Sequence, residues 1–456
     1  MLAIDVNNID NQLLDLKKKY GNIVTLWLPQ PIIIFGGNDE LKTAFIKNGE
    51  KTAGRPDFKI MELLLEGNYG VVFSSDIFWR NQRRFALHVL RDFGVGRPIL
   101  ENAIISQASD VCDYFKSLNG DPVDPSKTII TCVGNIIHQL AFGITTDIRD
   151  DTIYNFRNKM LEASKLFNHP ITLLMDLWEP LKYLKFLGGK SYQKLIDYNN
   201  EMIDYCRAHI EEHRKTISYE NEPRDYIDAF LIEQQKQNPL LKRHGEWSDW
   251  QLIGTLYDLF AAGMETTSTT TQMFIFYILH YPDVQKKIHV EIDAVIGRDK
   301  IITMSDQAKL PYFNACLQEA QRVTTVLPMN LFHRTIEDLE IDGYDIPKGT
   351  TVIPQFESVH KDEKEFRDPQ KFDPSRFLDS ENNYKKDERI TPFSLGKRAC
   401  LGESLARMEL FLFAATFFQH FEFQPENPDN LPLFEYDYSF VKTIKPFKVR
   451  ILERKQ

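Results

Sequence analysis

Pro392-Phe393-Ser394-Leu395-Gly396-Lys397-Arg398-Ala399-Cys400-Leu401-Gly402-Glu403 is the stretch on which the reading of this chain turns. Two glycines bracket a cysteine, and the segment runs directly into an apolar helical pattern over Leu401–Phe418. A loop of that kind sets a sulfur where backbone N–H groups and the positive end of a helix face it, and both favour thiolate over thiol. Arg398 adds a cation two residues away. A thiolate so placed suits nucleophilic attack or iron ligation, while a buried cysteine at a helix start has the same local sequence. The loop by itself leaves all three open.

Outward from this loop, the 456 residues carry 55 Lys+Arg against 65 Asp+Glu, a formal net charge of −10. That balance argues against nucleic acid as the main partner, because phosphate contact needs a basic face. With 43% hydrophobic and 12% aromatic residues the chain builds a large core. Its 22 Gly and 22 Pro are too few for a collagen-like or disordered chain. Length alone allows about three domains. The longest dense apolar stretch, Leu410–Phe418, has nine residues, too short to span a membrane as a helix, and the start turns polar too early for a signal peptide. Cys112, Cys132, Cys206 and Cys316 are scattered with no CxxC pair, which suits a reducing compartment and excludes the usual structural zinc patterns. They read as small apolar residues in helices.

Strands are expected at Ile23–Leu28 and Ile32–Phe35 around a Pro29-Gln30-Pro31 turn, and helical spacing dominates Phe78–Phe115 and Asp151–Leu231. A long helix is expected from near Ser248, its cap, to Tyr281, where Pro282 stops it. A further helix at Leu310–Val326, short strands around Leu339–Ile346 and Thr351–Pro354, a loop over residues 355–400, the helix Leu401–Phe418 and a strand within Phe447–Leu452 complete a fold that is mainly α with small β-sheets. In the long helix, Gly263 costs ~1 kcal/mol relative to Ala. It lets the backbone distort, Ala262 leaves room for a small molecule, and the acid–alcohol pair Glu265–Thr266 can hold water and relay protons. Glu319 and Arg322 stand one turn apart on one face, as do Glu211 and Arg214, which read as an exposed pair. Trp79 and Arg83 share a face, and Arg80 to Arg97 hold five arginines against one Asp. His209-Ile210-Glu211-Glu212-His213 mimics a permuted zinc-protease motif without a further ligand, and no GxGxxG follows a strand, so no nicotinamide or flavin site is evident.

The spacing FxxGxRxCxG at Phe393, Gly396, Arg398, Cys400 and Gly402 resembles the haem-binding loop of the cytochromes P450, and PFSLGKRAC with GESLARMELFLF resembles their microsomal drug-metabolising group. The likeness runs from about Tyr20 to the C-terminus, including LPYFNACLQEAQR and PRDYIDAFL. It implies the cytochrome P450 fold in a single haem domain over residues 1–456, with haem b (iron protoporphyrin IX) between a long central helix and the cysteine loop. Cys400 would be the metal ligand, Phe393 would pack beside its sulfur, and Ala262 would lie at the cofactor. Arg398, Trp79, Arg83, Arg55 in Ala-Gly-Arg-Pro and His333 in Leu-Phe-His-Arg would meet the propionates. Glu319, Arg322 and Arg376 would form the family's structural Glu–Arg–Arg triad, and Glu265 and Thr266 its oxygen-activation pair.

The implied activity is a haem-thiolate monooxygenase putting one atom of O2 into a lipophilic substrate such as a xenobiotic, fatty acid or steroid. Electrons would come from NADPH through NADPH-cytochrome P450 reductase docking on the basic island, with cytochrome b5 as a second donor. Competing functions are a haem-thiolate isomerase or dehydratase of lipid peroxides and a haem-binding sensor without turnover. Substrate-lining segments are expected at Asp57–Phe73, Leu166–Leu184, Phe260–Ala262, Leu327–Leu331 and Phe434–Phe440. Microsomal relatives carry an apolar anchor and a proline-rich hinge ahead of the region matching Ile4–Tyr20, and neither stands in this sequence. The expected location is the cytosolic face of the endoplasmic reticulum membrane, or the cytoplasm without an anchor, with Ile171–Leu187 as a peripheral membrane contact.

Overall fold

Ser248 accepts a hydrogen bond from the N–H of Gln251 at 3.1 Å, and Pro282 opens a new helix rather than continuing the old one. Between those two signals the chain runs as one helix, Asp249–His280. This is seen in a computed structural model that describes residues 8–28, 30–58, 61, 64–94, 98–167, 185–237, 245–439 and 441–454. Residues 168–184, which hold most of one expected substrate-lining stretch and of the expected membrane contact, lie outside the described residues, as do Arg97 and Phe440.

Helices longer than ten residues are, in chain order, α1 (Ile9–Tyr20), α2 (Asp76–Asp92), α3 (Pro98–Ser117), α4 (Ser126–Phe142), α5 (Thr152–Phe167), α6 (Lys185–Thr216), α7 (Tyr226–Lys236), α8 (Asp249–His280), α9 (Pro282–Val295), α10 (Pro311–Val323) and α11 (Glu403–His420). The strands are β1 (Ile23–Leu28), β2 (Gln30–Phe35), β3 (His333–Arg334), β4 (Leu339–Ile341), β5 (Tyr344–Ile346), β6 (Thr351–Pro354), β7 (Phe421–Pro425), β8 (Tyr436–Tyr438), β9 (Lys442–Ile444) and β10 (Val449–Glu453). The described chain is mainly α with small sheets.

Two compact units divide it. The first takes Met1–Thr52, Gly96–Val133 and Thr266–Gln456, and the second takes Ala53–Val95 and Gly134–Glu265, so two of the four divisions fall inside α4 and α8. In the first unit the sheet order is β1-β2-β6-β3, with β1 antiparallel to β2 (Ile23↔Phe35) and β2 parallel to β6 (Ile32↔Thr351). Its inner face joins Ile33, Phe35, Phe45, Val352 and Phe356 in one cluster, against which Leu395 of the cysteine loop packs. α11 is apolar on all sides, and Phe411, Phe417 and Phe418 stack edgewise or tilted on Phe313, Phe115 and Phe274. Such a helix belongs in a core, and its burial fixes the base from which the cysteine loop projects. In the second unit, α4 to α6 and α8 meet in an aromatic box of His138, Phe142, Phe156, Tyr205, His209 and Phe260. Burial drives His138 down to about 4, so it sits there neutral.

Candidate active site

The loop ahead of α11 is shaped by one close approach. Gly396 has φ +69°, and a Cβ there would collide with the carbonyl oxygen of Phe45. Phe45 lies in a π-helical turn, Thr43–Lys47, a geometry often found at functional sites. Only glycine meets both demands at position 396. Lys397 adds an ion pair to Glu50 at 2.8 Å, and the N–H of Cys400 donates to the Phe393 carbonyl at 2.8 Å, closing the loop on itself. α11 begins at Glu403 with Gly402 as its cap, two residues beyond the cysteine. Phe393 packs under the guanidinium of Arg407 at 4.7 Å, and Arg398 is buried.

Cys400 is exposed, whereas Cys112, Cys132, Cys206 and Cys316 are buried in helices. Burial pushes the thiols of Cys112 and Cys206 up to about 12 and those of Cys132 and Cys316 well above their ordinary value, so these four are inert packing residues. His333 is buried beside the same loop. Its Nδ1–H donates to the Thr52 carbonyl at 2.8 Å, and its ring stands edge-on to Phe45 at 4.9 Å.

The second unit holds the other expected cofactor residues. The Arg55 Nε donates to the Val72 carbonyl at 2.9 Å. Asp258 takes the N–H groups of Val71 and Val72 at 2.7 and 2.8 Å. Burial, with Arg83 adding to it and Asp258 opposing, brings Arg55 down to about 9. Burial raises Asp258 to about 7 against those two N–H bonds and Arg55. Trp79 is buried on α2, one turn before the half-buried Arg83. Two guanidiniums that repel one another in a poorly solvated place are what a bound carboxylate would relieve. Within the first unit, an exposed thiol at the head of a helix together with buried Arg398 and His333 is a donor set that fits an iron porphyrin bearing carboxylates. Arg80, Arg84 and Arg91 are exposed on α2, the last 2.8 Å from His88 and 4.0 Å from Asp92.

On α8, Ala262 is exposed. The helix is regular through Gly263, contrary to the expected distortion; a Cβ there would lie 2.6 Å from Ile137, so the glycine is explained by the close approach of α4. Thr270 and Thr271 bond back to the carbonyls of Thr266 and Thr267. Arg157 of α5 grips the Glu265 carboxylate with Nε and Nη2, both at 2.6 Å. Arg157 was invisible in the sequence, because the contact joins residues 108 apart. The one signal available was that a carboxylate in the apolar run Leu259–Met264 needs a counter-charge.

Glu319 and Arg322 are fully buried and bidentate at 2.7 and 2.8 Å. Arg322 donates further to the carbonyls of His360, Pro369 and Lys371, and Arg376 approaches Glu319 at 3.4 Å. Glu211–Arg214 is a looser pair at 3.7 Å with an exposed Glu. His213, Asp225 and Asp228 are, among the described residues, the one cluster within metal-ligating reach. His213 is already bonded to the His209 carbonyl and to Asp225, and Asp228 to Arg224 at 2.5 and 2.9 Å. Those partners saturate it. No helix among the described residues is long and apolar enough to cross a membrane.

Comparison with known proteins identifies a family. The family model described as Cytochrome P450 matches residues 1–451. A Caenorhabditis elegans protein described as probable cytochrome P450 CYP36A1 is 39% identical over 449 residues, covering 98% of this chain and 91% of that protein. Cytochrome P450 2C23 of Rattus norvegicus is 36% identical and cytochrome P450 2B19 of Mus musculus 34%, each covering 100% of this chain and 91% of the relative.

Proposed function

The chain belongs to the cytochrome P450 family of haem monooxygenases, and we propose that it inserts one atom of O2 into a lipophilic organic substrate with electrons drawn from NADPH through a reductase. The balance is RH + O2 + two electrons + two protons giving ROH + H2O. The observation that carries the reading is the exposed Cys400 in a loop moulded on Phe45 at the head of α11. Haem b bound through that thiolate supplies oxygen activation, with electron density pushed toward the iron.

The remaining work falls to the protein. Cys400 is held by its own N–H bond to the Phe393 carbonyl, and the Phe393 ring packs beside the sulfur. Arg398, His333, Arg55, Trp79 and Arg83 anchor the propionates and Ala262 leaves room beside the cofactor. Glu265 and Thr266 hold water and pass the two protons, with Arg157 keeping the Glu265 carboxylate oriented. Glu319, Arg322 and Arg376 brace the loop that precedes the cysteine. NADPH-cytochrome P450 reductase, and cytochrome b5 after it, dock on the exposed arginines of α2, an encounter that weakens with salt. Leu327–Leu331 and Phe434–Phe440 are among the segments that face the substrate, which is a xenobiotic, fatty acid or steroid. The protein works at the cytosolic face of the endoplasmic reticulum membrane.

The test is the carbon-monoxide difference spectrum of the reduced protein. A red-shifted thiolate Soret band is expected, and Cys400→His should move it to the imidazole position. An imidazole-type band in the unaltered protein would remove Cys400 from its role. NADPH consumption with purified reductase then separates monooxygenation from lipid-peroxide rearrangement, which needs no NADPH.

A further inference from the structure

Asp10 is 3% exposed in α1, where a carboxylate persists only if it is paired. It accepts hydrogen bonds from the Tyr438 hydroxyl at 3.0 and 3.1 Å and from Lys442 Nζ. Lys361, 4.0 Å from Asp10, pairs with Glu357, whose carboxylate lies 3.8 Å from Lys442. Asp10, Glu357 and Lys442, all buried, and the partly buried Lys361 are thus gathered with no net charge. Burial pushes Asp10 up, and Lys442, Lys361 and Tyr438 together hold it below the usual carboxylate value.

The far side of this cluster is a hairpin too small to place itself. β8 and β9 have three residues each, in the register Tyr436↔Ile444 and Tyr438↔Lys442, so Tyr436, Tyr438, Lys442 and Ile444 share one face. Lys442 Nζ stands 4.3 and 5.5 Å from the ring centroids of Tyr436 and Tyr438. The Lys442 N–H donates to the Val326 carbonyl at 2.9 Å, directly ahead of Leu327–Leu331. At the other end of the hairpin, Phe434 packs on Phe276, Tyr277 and His280 at 5.0, 5.4 and 4.5 Å. A buried ion network is a poor way to add stability, since apolar residues of the same volume do as well. Its better-attested use is to select one arrangement over others.

We infer that Asp10 and Lys442 are positioning residues for substrate selection: through them α1 sets where the β8–β9 hairpin and the adjoining Leu327–Leu331 segment stand. This rests on the reading that those two segments face the substrate.

The experiment uses the haem-loaded enzyme with lauric acid, progesterone and 7-ethoxycoumarin as probes, comparing product ratios, KM and kcat. The variants are Asp10→Asn, Lys442→Met, the two combined, and Tyr438→Phe, which removes only the hydroxyl bond to Asp10. The thiolate Soret band should be unchanged in all of them; its absence from the unaltered enzyme would defeat the assignment of Cys400 and not this inference. Each single-charge variant should shift a product ratio or KM by about threefold or more. The combined variant should return toward the unaltered enzyme, and Tyr438→Phe should shift the ratio in the same direction by less. A fall in unfolding midpoint with unchanged product ratios and KM would reduce the cluster to a structural brace and overturn the inference. If the single-charge variants do not fold, an unchanged ratio in Tyr438→Phe overturns it alone. Turnover of none of the three probes by the unaltered enzyme defeats the substrate reading and this inference with it.

Discussion

Glu319–Arg322 and Glu265–Arg157 are both bidentate carboxylate–guanidinium pairs with N–O distances between 2.6 and 2.8 Å, yet they are built for different ends. The first joins neighbouring turns of α10, is wholly buried, and has its guanidinium further tied to three backbone carbonyls. Neither partner can turn to water. The second joins α5 to α8, leaves each side chain about an eighth exposed, and, among the described residues, gives Arg157 Asn158 as a further acceptor at 3.2 Å. Water can compete for it. A pair with every donor spoken for holds shape, whereas a pair open at its edge can exchange partners during a reaction.

The sharpest way to break the comparison is to remove one arginine from each pair. Arg322→Met leaves Glu319 charged and fully buried, and should cost about 3–5 kcal/mol of unfolding free energy. Haem should fail to load, as read by Soret absorbance per chain. Arg157→Met leaves a carboxylate that can hydrate, so the loss should be nearer 1.5 kcal/mol, the low end for hydrogen bonds to a charged group. Its signature is functional: haem content unchanged, and the share of NADPH diverted to hydrogen peroxide altered severalfold. Equal stability losses in the two variants would erase the distinction. Arg376→Gln, which gives up the 3.4 Å contact to Glu319 and two water-exposed bonds to the Arg367 and Asp368 carbonyls, should cost about 1 kcal/mol.

The smallest effect tests a third charged pair by pH. Burial lowers His213, but its bond to Asp225 more than compensates, so the imidazole is held above its ordinary value. A histidine raised on folding adds stability that is complete below its unfolded pKa, about 6.5, and is lost as pH rises through the folded value. His213→Gln should therefore cost more at pH 6 than at pH 9, measured by denaturant unfolding. An equal cost at both would mean that the histidine is neutral in the folded protein.

Local chemistry was the legible part of this chain. Ser248 and Pro282 delimit α8 to within a residue, and the spacing of Phe393, Gly396, Arg398 and Cys400 singled out the one exposed cysteine. The strand expected from Ile32 begins at Gln30, because pairing with β1 continues to Leu28↔Gln30. α4 was not legible: Ser126–Phe142 is apolar on most sides and rich in Ile and Thr, so neither period shows and packing decides. What no local pattern carries is contact between distant residues. Arg157 on Glu265, Ile137 against Gly263 and Phe45 behind Gly396 each needed the fold itself.

The pairing of β2 with β6 has a consequence for how the protein is made. Ile32 finds its partner Thr351 only after another 319 residues have been synthesised. At roughly 5–20 residues per second, the open edge of β2 waits about 15–60 s on the ribosome. The unit that holds the cysteine loop closes last, because α1, β1 and β2 must await β6, the β8–β9 hairpin and α11. Capture of the cofactor then waits until α11 and the β8–β9 hairpin have emerged, and a nascent chain stalled before residue 351 presents an apolar hairpin edge to chaperones or to its neighbours.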